Sequence, residues 1–478
     1  MVKKDNYEEN VKKATEYTIL SDYAKTLPEN ISDSFENQVI SINVNAKITL
    51  PDGEEKLPIY KYQPHILTQD EADKWINYFA EGKKFYKPLV YTKESYDEEI
   101  IRAKQGLYID GQYVQTEDNQ EYIKELEKLR EEAPSEKERK YIDTKFDYAG
   151  TSQTDISRGK DAINLCVEND GEDYTIHATT HVKGNADSLD TQFEMSHGGE
   201  YFSYSYLLHE YTDPNTESAS LKEVNEIKNA ETISDEKGLP VAQKLLEDLG
   251  ITGMICVRTQ NALLSSFNNQ FGMTSNRPDE YCREFTFMRN INGVSLDAAL
   301  IDELVNYSES ISPDDTDYAP PMYAEYIQVG INNDGEVEYF NYNNMMDEDE
   351  MLSEGALLKE FDSIVSNGID QIKYKYSFND VESGKAFVNI DTIELEMKYV
   401  RAKDDLEAAL LVPVWKFGGT ISYEINGTRT EDYSISVFLC SWTPWTGARG
   451  KNDEAAEDDK KTRSYNTGRA VSLPVFGV

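Results

Sequence analysis

Between residues 40 and 48 the apolar positions fall on every second residue. Ile40, Ile42, Val44, Ala46 and Ile48 share one face of VISINVNAKITL, with polar residues between most of them. A period of two marks a strand with one buried face. Pro51-Asp52-Gly53 turns the chain, and LPIYKYQP reads as the partner strand. The period then changes. In LTQDEADKWINYFAEG, Trp75, Ile76, Tyr78 and Phe79 form one helical stripe, Thr68 and Glu71 have capping-box spacing, and Gly82 ends the helix. A second helix over NQEYIKELEKLREEA carries Ile123, Leu126 and Leu129 at three-residue steps and stops at Pro134. Glu125 with Lys128, and Glu127 with Arg130, are neighbours on its solvated side.

From about 145 to 210 alternation dominates. DAINLCVEND, DYTIHATTHVKG, DTQFEMSHGG and EYFSYSYLLHEY, separated by Gly, Asn and Asp, predict an antiparallel meander. A polar bridge, TDPNTESASLKEVNEIKNAE, leads to a helix in LPVAQKLLEDLGI that Gly250 closes. Strands return in TGMICVRTQ, YCREFTFMRNINGVSL and AEYIQVGINNDGEVEYFNY, the last a hairpin about Asn333-Asp334-Gly335. A helix in EGALLKEFDSIVSNG precedes two further strands, TIELEMKYVRA and AALLVPVWKFGGTISYEI. The order strand, strand, helix, strands thus occurs before residue 220 and again after it. The expected class is α+β: two similar halves, each an antiparallel sheet packed against one or two helices, as an internal duplication would give. The expected divisions are a flexible N-terminal arm or tether over 1–35, an N-terminal α+β domain over 36–220, a C-terminal α+β domain over 221–440, and a poorly ordered tail over 441–478.

Charge narrows the partners. The 478 residues carry 89 acids against 48 Lys and Arg, a formal net charge of −41. Phosphate binding needs clustered Lys and Arg, so nucleic acid is excluded as a partner, and an anionic membrane surface repels most of this exterior. With 32 Tyr and 17 Phe the chain is too aromatic for disorder. It has no run of 18 apolar residues and no apolar leader in MVKKDNYEEN, so it reads either as cytosolic or as numbered from after a removed leader. Cys166, Cys256, Cys282 and Cys440 each lie in an apolar, strand-like run without a CxxC pair. They read as buried free thiols, with one or two disulfides as the alternative.

Candidate chemistry is sparse. Four of the five histidines, His177, His181, His197 and His209, lie close together in sequence. Alternation puts His177 and His181 on the solvent side of a strand, and HEYTD at His209 is not the HExxH of a zinc protease. The acid clusters Asp314 to Asp317 and Met346 to Glu350 lack calcium-loop spacing and read as solvated loops. Nucleophile-elbow and phosphate-loop signatures are missing from the sequence. No catalytic, cofactor-binding or metal residue is assigned, no cofactor is expected, and the ligand stays unknown. Trp75 and Trp415 are assigned to the core rather than to sugar stacking.

Two segments carry a resemblance. YCREFTFMRNINGVSLD ends a strand in an Arg-x-x-Asn-Gly-Val turn, and IELEMKYVRAKDDLEAALLVPVWKFGG follows about 110 residues later. Ile393 and Leu395, then Leu411, Val412, Pro413 and Trp415, match the Ile-x-Leu and Leu-Val-Pro-x-Trp pattern of a clostridial (Firmicutes) lipoprotein family of unknown function. That family resembles the YycH/YycI-type extracytoplasmic proteins and their PepSY-like domains. The resemblance covers about 280 to 425, and more loosely 36 to 86. It implies a non-enzymatic protein outside the cell, lipid-anchored to the cell membrane through a leader outside this numbering. Its partner would be an envelope protein, such as a sensor kinase that it restrains. A carbohydrate- or small-ligand-binding lipoprotein and a hydrolase with a carboxylate or histidine site remain open as other classes.

The chain departs from that family's ending after SISVFLCSWTPWTGARG. Moving the codon boundaries by one base turns Ser-Trp-Thr-Pro-Trp-Thr-Gly into Leu-Asp-Ala-Val-Asp-Gly, the ending the family uses. The tail therefore reads either as out of frame from just before Cys440 or as a natural variant.

Overall fold

The structure, a computed structural model, describes residues 16–440 apart from internal stretches, the longest being 143–160, 182–190, 208–220, 266–277 and 297–323. The chain opens with a short helix α1 (Leu20–Tyr23) and two strands, β1 (Asn30–Glu36) and β2 (Ile40–Thr49), paired antiparallel. β3 (Ile59–Pro64) leads into helix α2 (Gln69–Ala80) and β4 (Lys84–Tyr86). Helices α3 (Lys93–Gln105) and α4 (Glu117–Glu132) flank a small hairpin of β5 (Leu107–Ile109) and β6 (Gln112–Val114). Next come β7 (Tyr141–Ile142), β8 (Asp161–Glu168), β9 (Tyr174–Thr180), β10 (Gln192–Ser196) and β11 (Glu200–Ser203). Helices α5 (Leu221–Lys228) and α6 (Asp235–Leu249) precede β12 (Met254–Ser265), β13 (Glu280–Ile291), β14 (Val294–Ser295), β15 (Tyr326–Ile331) and β16 (Val337–Asn343). The chain closes with β17 (Met346–Ser353), α7 (Phe361–Tyr376), β18 (Lys385–Arg401), β19 (Ala409–Ile425), β20 (Thr428–Arg429) and β21 (Tyr433–Cys440).

The fold is α+β, built on two large sheets. The first runs β1-β2-β18-β19-β3-β17, with β20 and β21 on β19. The second runs β11-β12-β13-β15-β16-β10-β9-β8-β4-β7, with β14 on β13. The sheets do not divide the chain at residue 220. Strands from both ends build the first sheet, the whole second sheet is inserted between β3 and β17, and β11 and β12 pair across the expected boundary. Alternation identifies a strand but not its neighbour, so sequence order misplaced the division. The strand pairs are antiparallel apart from β2 with β18, which run parallel where the chain returns after the insertion.

The expected arm over 1–35 is also shorter than the sequence suggests. Thr18 N donates to Ala356 O at 3.0 Å, Leu358 N donates to Thr18 Oγ1 at 2.9 Å, and Leu20 is buried. Residues 441–478, the expected tail, lie outside the described residues, whereas β21 stays in register with β19 through Cys440 opposite Val414.

Local signals work where the period is clean. The Thr68 hydroxyl accepts from Glu71 N, and the Glu71 carboxylate accepts from Thr68 N at 3.0 Å, so the capping box forms. Gly250 closes α6 in the left-handed region at φ 82, and Gly335 turns the β15–β16 hairpin at φ 84. Two helices were hidden. α3 was not anticipated, and α5 lies inside the polar bridge, buried through Val224 and Ile227. The acids of Met346 to Glu350, expected in a loop, instead form β17, because their backbone pairs with β3.

Each sheet carries its own core. Ile40, Ile42, Val44, Leu395, Trp415 and Phe417 of the first pack under α7, whose Phe361 meets the Trp415 ring edge-on at 5.2 Å. Trp415 therefore joins helix to sheet, as the sequence suggests. Pro413 lies within β19, between Leu411, the last residue paired with β3, and Val414, the first paired with β21. In the second core, α2 and α6 cover Phe193, Phe285, Phe287 and Phe340, and Trp75 Nε1 donates to Leu249 O at 3.1 Å.

Candidate functional site

Because side chains alternate, covering one face of the second sheet with α2 and α6 fixes what the other face presents. On β8, β9, β10, β16, β15, β13 and β12, the residues directly opposite one another are Asn164, His177, Glu194, Asn341, Gln328, Thr286 and Arg258. All seven are polar. The adjacent row reads Cys166, Thr175, Ser196, Tyr339, Gly330, Glu284 and Gln260. Asn341 and Thr286 are buried, and the other five members of the first row are half-buried.

The side chains bind one another. Glu284, fully buried, accepts from Gln260 Nε2 at 2.7 Å, Thr286 Oγ1 at 2.8 Å and Gln328 Nε2 at 3.2 Å. Asn341 Nδ2 donates to Tyr339 Oη at 2.9 Å, and Gln192 Nε2 lies 3.4 Å from both Glu194 Oε2 and Asn341 Oδ1. The Tyr201 ring of β11 stacks on Tyr339 at 3.9 Å. Gly330 makes room for that stack, since a Cβ there would lie 3.1 Å from the Tyr201 ring. Burial pushes the Glu194 carboxyl up to about 7, so near neutrality it both donates and accepts. By area the residue is half-buried.

A second polar centre lies where the sheets meet. Glu325, fully buried just before β15, accepts from Arg289 Nε at 2.5 Å and Nη2 at 2.8 Å, from Tyr342 Oη at 2.7 Å, from Met346 N at 3.1 Å and from Tyr399 Oη at 3.3 Å. Arg289 belongs to the Arg-x-x-Asn-Gly-Val motif, and its guanidinium also lies over the Tyr62 ring at 5.3 Å. With five donors on one carboxylate, this centre is saturated and structural.

Of the four clustered histidines, the three among the described residues do not converge. His177 sits in the polar row with Nδ1 2.5 Å from Asn164 Oδ1, and His197 stacks on Tyr174 at 4.4 Å. His181, expected to face solvent, is buried with Nε2 3.3 Å from Glu407 Oε2, because it lies just past the end of β9, where alternation no longer applies. His209 lies outside the described residues, as do Asp314 to Asp317. Among the described residues, no three His, Cys, Asp or Glu side chains are placed to hold a metal ion. Cys166 and Cys282 are buried, and burial pushes the half-buried Cys256 thiol up to about 11.

The fifth histidine went unremarked in the sequence because it stands alone, three residues before the capping box. His65 Nδ1 meets Asp347 Oδ2 of β17 at 2.8 Å, and Nε2 lies 3.4 Å from Glu71 Oε2 at the start of α2. It sits where the chain crosses from the first sheet to the second. Burial alone would lower its pKa, but the hydrogen bond and charge of Asp347, with Glu71 behind them, outweigh that and leave it raised. A raised folded-state value means that the protonated form stabilises the fold below about 6.5 and that this contribution is lost as pH rises through the raised value. Thermal melts from pH 6 to pH 8 should therefore fall in midpoint, and His65→Gln should flatten that slope. An unchanged slope in the variant would show that the contact does not couple to folding.

Comparison with known proteins adds little to this geometry. No family model matches the chain, and no curated protein matches it. Among solved structures, an uncharacterised protein from Eubacterium rectale is similar at 12% identity and a TM-score of 0.43, over 92% of this chain and 97% of that one. No helix among the described residues is long and apolar enough to cross a membrane.

Proposed function

We propose that the protein is a non-enzymatic extracytoplasmic lipoprotein that acts by protein–protein contact at the cell envelope, through the acidic edge of its first sheet. The supporting observation is β17. It is the terminal strand of that sheet, and Asp347, Glu348, Asp349, Glu350 and Met351 are exposed in succession, against the alternation a strand normally shows. Register shifts between Glu348 and Glu350 and between Met351 and Ser353 break the edge. Charge and bulges of this kind oppose pairing with another strand, which leaves recognition to the side chains. The net charge of −41 favours a partner with a basic patch and makes association steeply salt-dependent. The extracytoplasmic, lipid-anchored setting and a sensor kinase as the restrained partner come from the family resemblance.

The test is capture of the outer domains of the organism's sensor kinases on the immobilised protein. Binding at low ionic strength should disappear at about 1 M salt, where the screening length falls to about 3 Å, and should be lost in Asp349→Lys/Glu350→Lys. Capture indifferent to both salt and these substitutions would overturn the electrostatic contact.

A further inference from the structure

We propose that the polar face of the second sheet is a binding site for a neutral oligosaccharide lying across the strands along Asn164, His177, Glu194, Asn341 and Gln328. This site is separate from the acidic edge and does not depend on the contact proposed there.

A sheet face turned away from its helices is ordinarily either polar and open or apolar and covered. This one is polar and sunk: along a row seven strands wide, Asn341 and Thr286 are buried and the other five members are half-buried. From Asn164 to Gln328 the row crosses four strand spacings of about 4.8 Å, a track on the order of 19 Å, which fits a short chain of sugars better than a single one. Two side chains along it, the Glu194 carboxyl and the Gln328 amide, keep unused capacity. Among the described residues, the hydrogen bonds of Glu194 and Gln328 side chains are the long one from Gln192 at 3.4 Å and the one to Glu284 at 3.2 Å. An amide side chain can make four such bonds, so the row offers mixed donors and acceptors at strand spacing. Sugar hydroxyls, each donor and acceptor, suit that mixture, and the half-buried Tyr201 ring stacked on Tyr339 supplies a flat apolar surface at one side.

Other ligand classes fit less well. An extended peptide adds to a sheet through an unpaired edge, but β9, β10, β15 and β16 are each paired on both sides. Anions meet a chain of net charge −41. A cation would want Glu194 ionised, whereas burial favours its neutral form up to about pH 7. The groups facing Glu194 are His177 on β9, Asn341 and Tyr339 on β16 and Gln192 on its own strand, with the Glu284 carboxylate further across on β13.

The experiment is titration calorimetry of the full chain with neutral hexasaccharides of glucose, xylose and N-acetylglucosamine, after a screen on a glycan array. At least one series should bind. Gln328→Ala should weaken it about tenfold or more, with an unchanged melting profile. Binding should be about tenfold weaker at pH 8 than at pH 6, following the protonated fraction of a carboxyl that titrates near 7. Glu194→Gln, which mimics the neutral form at every pH, should abolish that difference, while His177→Gln should retain it. Absence of binding to any neutral glycan, binding indifferent to Gln328→Ala, binding of extended peptides alone, or a pH dependence that follows His177 instead of Glu194 would each overturn the assignment.

Discussion

Arg289→Met is expected to destabilise the protein by about 3–5 kcal/mol, because it strands a buried carboxylate without its counter-ion. Glu325 is fully buried, and Arg289 gives it two of its five hydrogen bonds. The remaining donors, Tyr342, Met346 and Tyr399, come from β16, β17 and β18, so the same carboxylate ties strands of both sheets together. Burial raises both phenols well above their ordinary value, and the neighbouring Glu325 charge raises them further, so they remain donors at any ordinary pH. For Arg289, burial opposes the charge but Glu325 outweighs it, and the guanidinium stays protonated. Substituting both partners, Arg289→Met with Glu325→Leu, removes the uncompensated charge and should recover much of the loss. Denaturant titration of the two variants measures this. A single-variant loss under about 1 kcal/mol, or a double variant worse than the single, would show that the pair does not pin the sheets.

That arginine also shows what a sequence does and does not disclose. Arg289 stood out within a short motif, but its partner is 36 residues away and one of 89 acids, and nothing local marks Glu325. The same asymmetry runs through the fold. β2 and α2 were legible because their burial repeats at a single period, and the β15–β16 hairpin because its turn is chemically marked. β17 was not, since five exposed residues in a row carry no period at all; only pairing with β3 makes it a strand. The nested sheets were hidden for a related reason. Alternation says which face of β2 is buried but not that its neighbour is β18, more than three hundred residues later. The polar row is the clearest case. Asn164, His177, Glu194, Thr286, Gln328 and Asn341 are ordinary polar positions in separate strands, and only the register aligns them.

A second signal was in plain view, the Gly-Gly pair that ends KFGG. Gly419→Ala is expected to cost about 3 kcal/mol, at the top of the range for overpacking. Opposite this pair, β18 carries a bulge: Ile390 faces Gly419 and Thr392 faces Gly418, leaving Asp391 as the extra residue. The parallel partner β2 shifts register at the same point. The bulge drives the β18 backbone into the space above β19, where a Cβ on Gly419 would collide with the Asn389 carbonyl oxygen, and one on Gly418 would come within 2.5 Å of Thr392 Oγ1. The two positions differ in what must yield. Thr392 can rotate its side chain, whereas the Asn389 carbonyl belongs to a strand held by β2 on one side and β19 on the other. Gly418→Ala should therefore cost distinctly less than Gly419→Ala. Deleting Asp391 to remove the bulge should narrow the gap between them. Chemical denaturation of the three variants reads the order directly, and equal losses at the two glycines would mean that the close approach of the Asn389 carbonyl is not what excludes a side chain there.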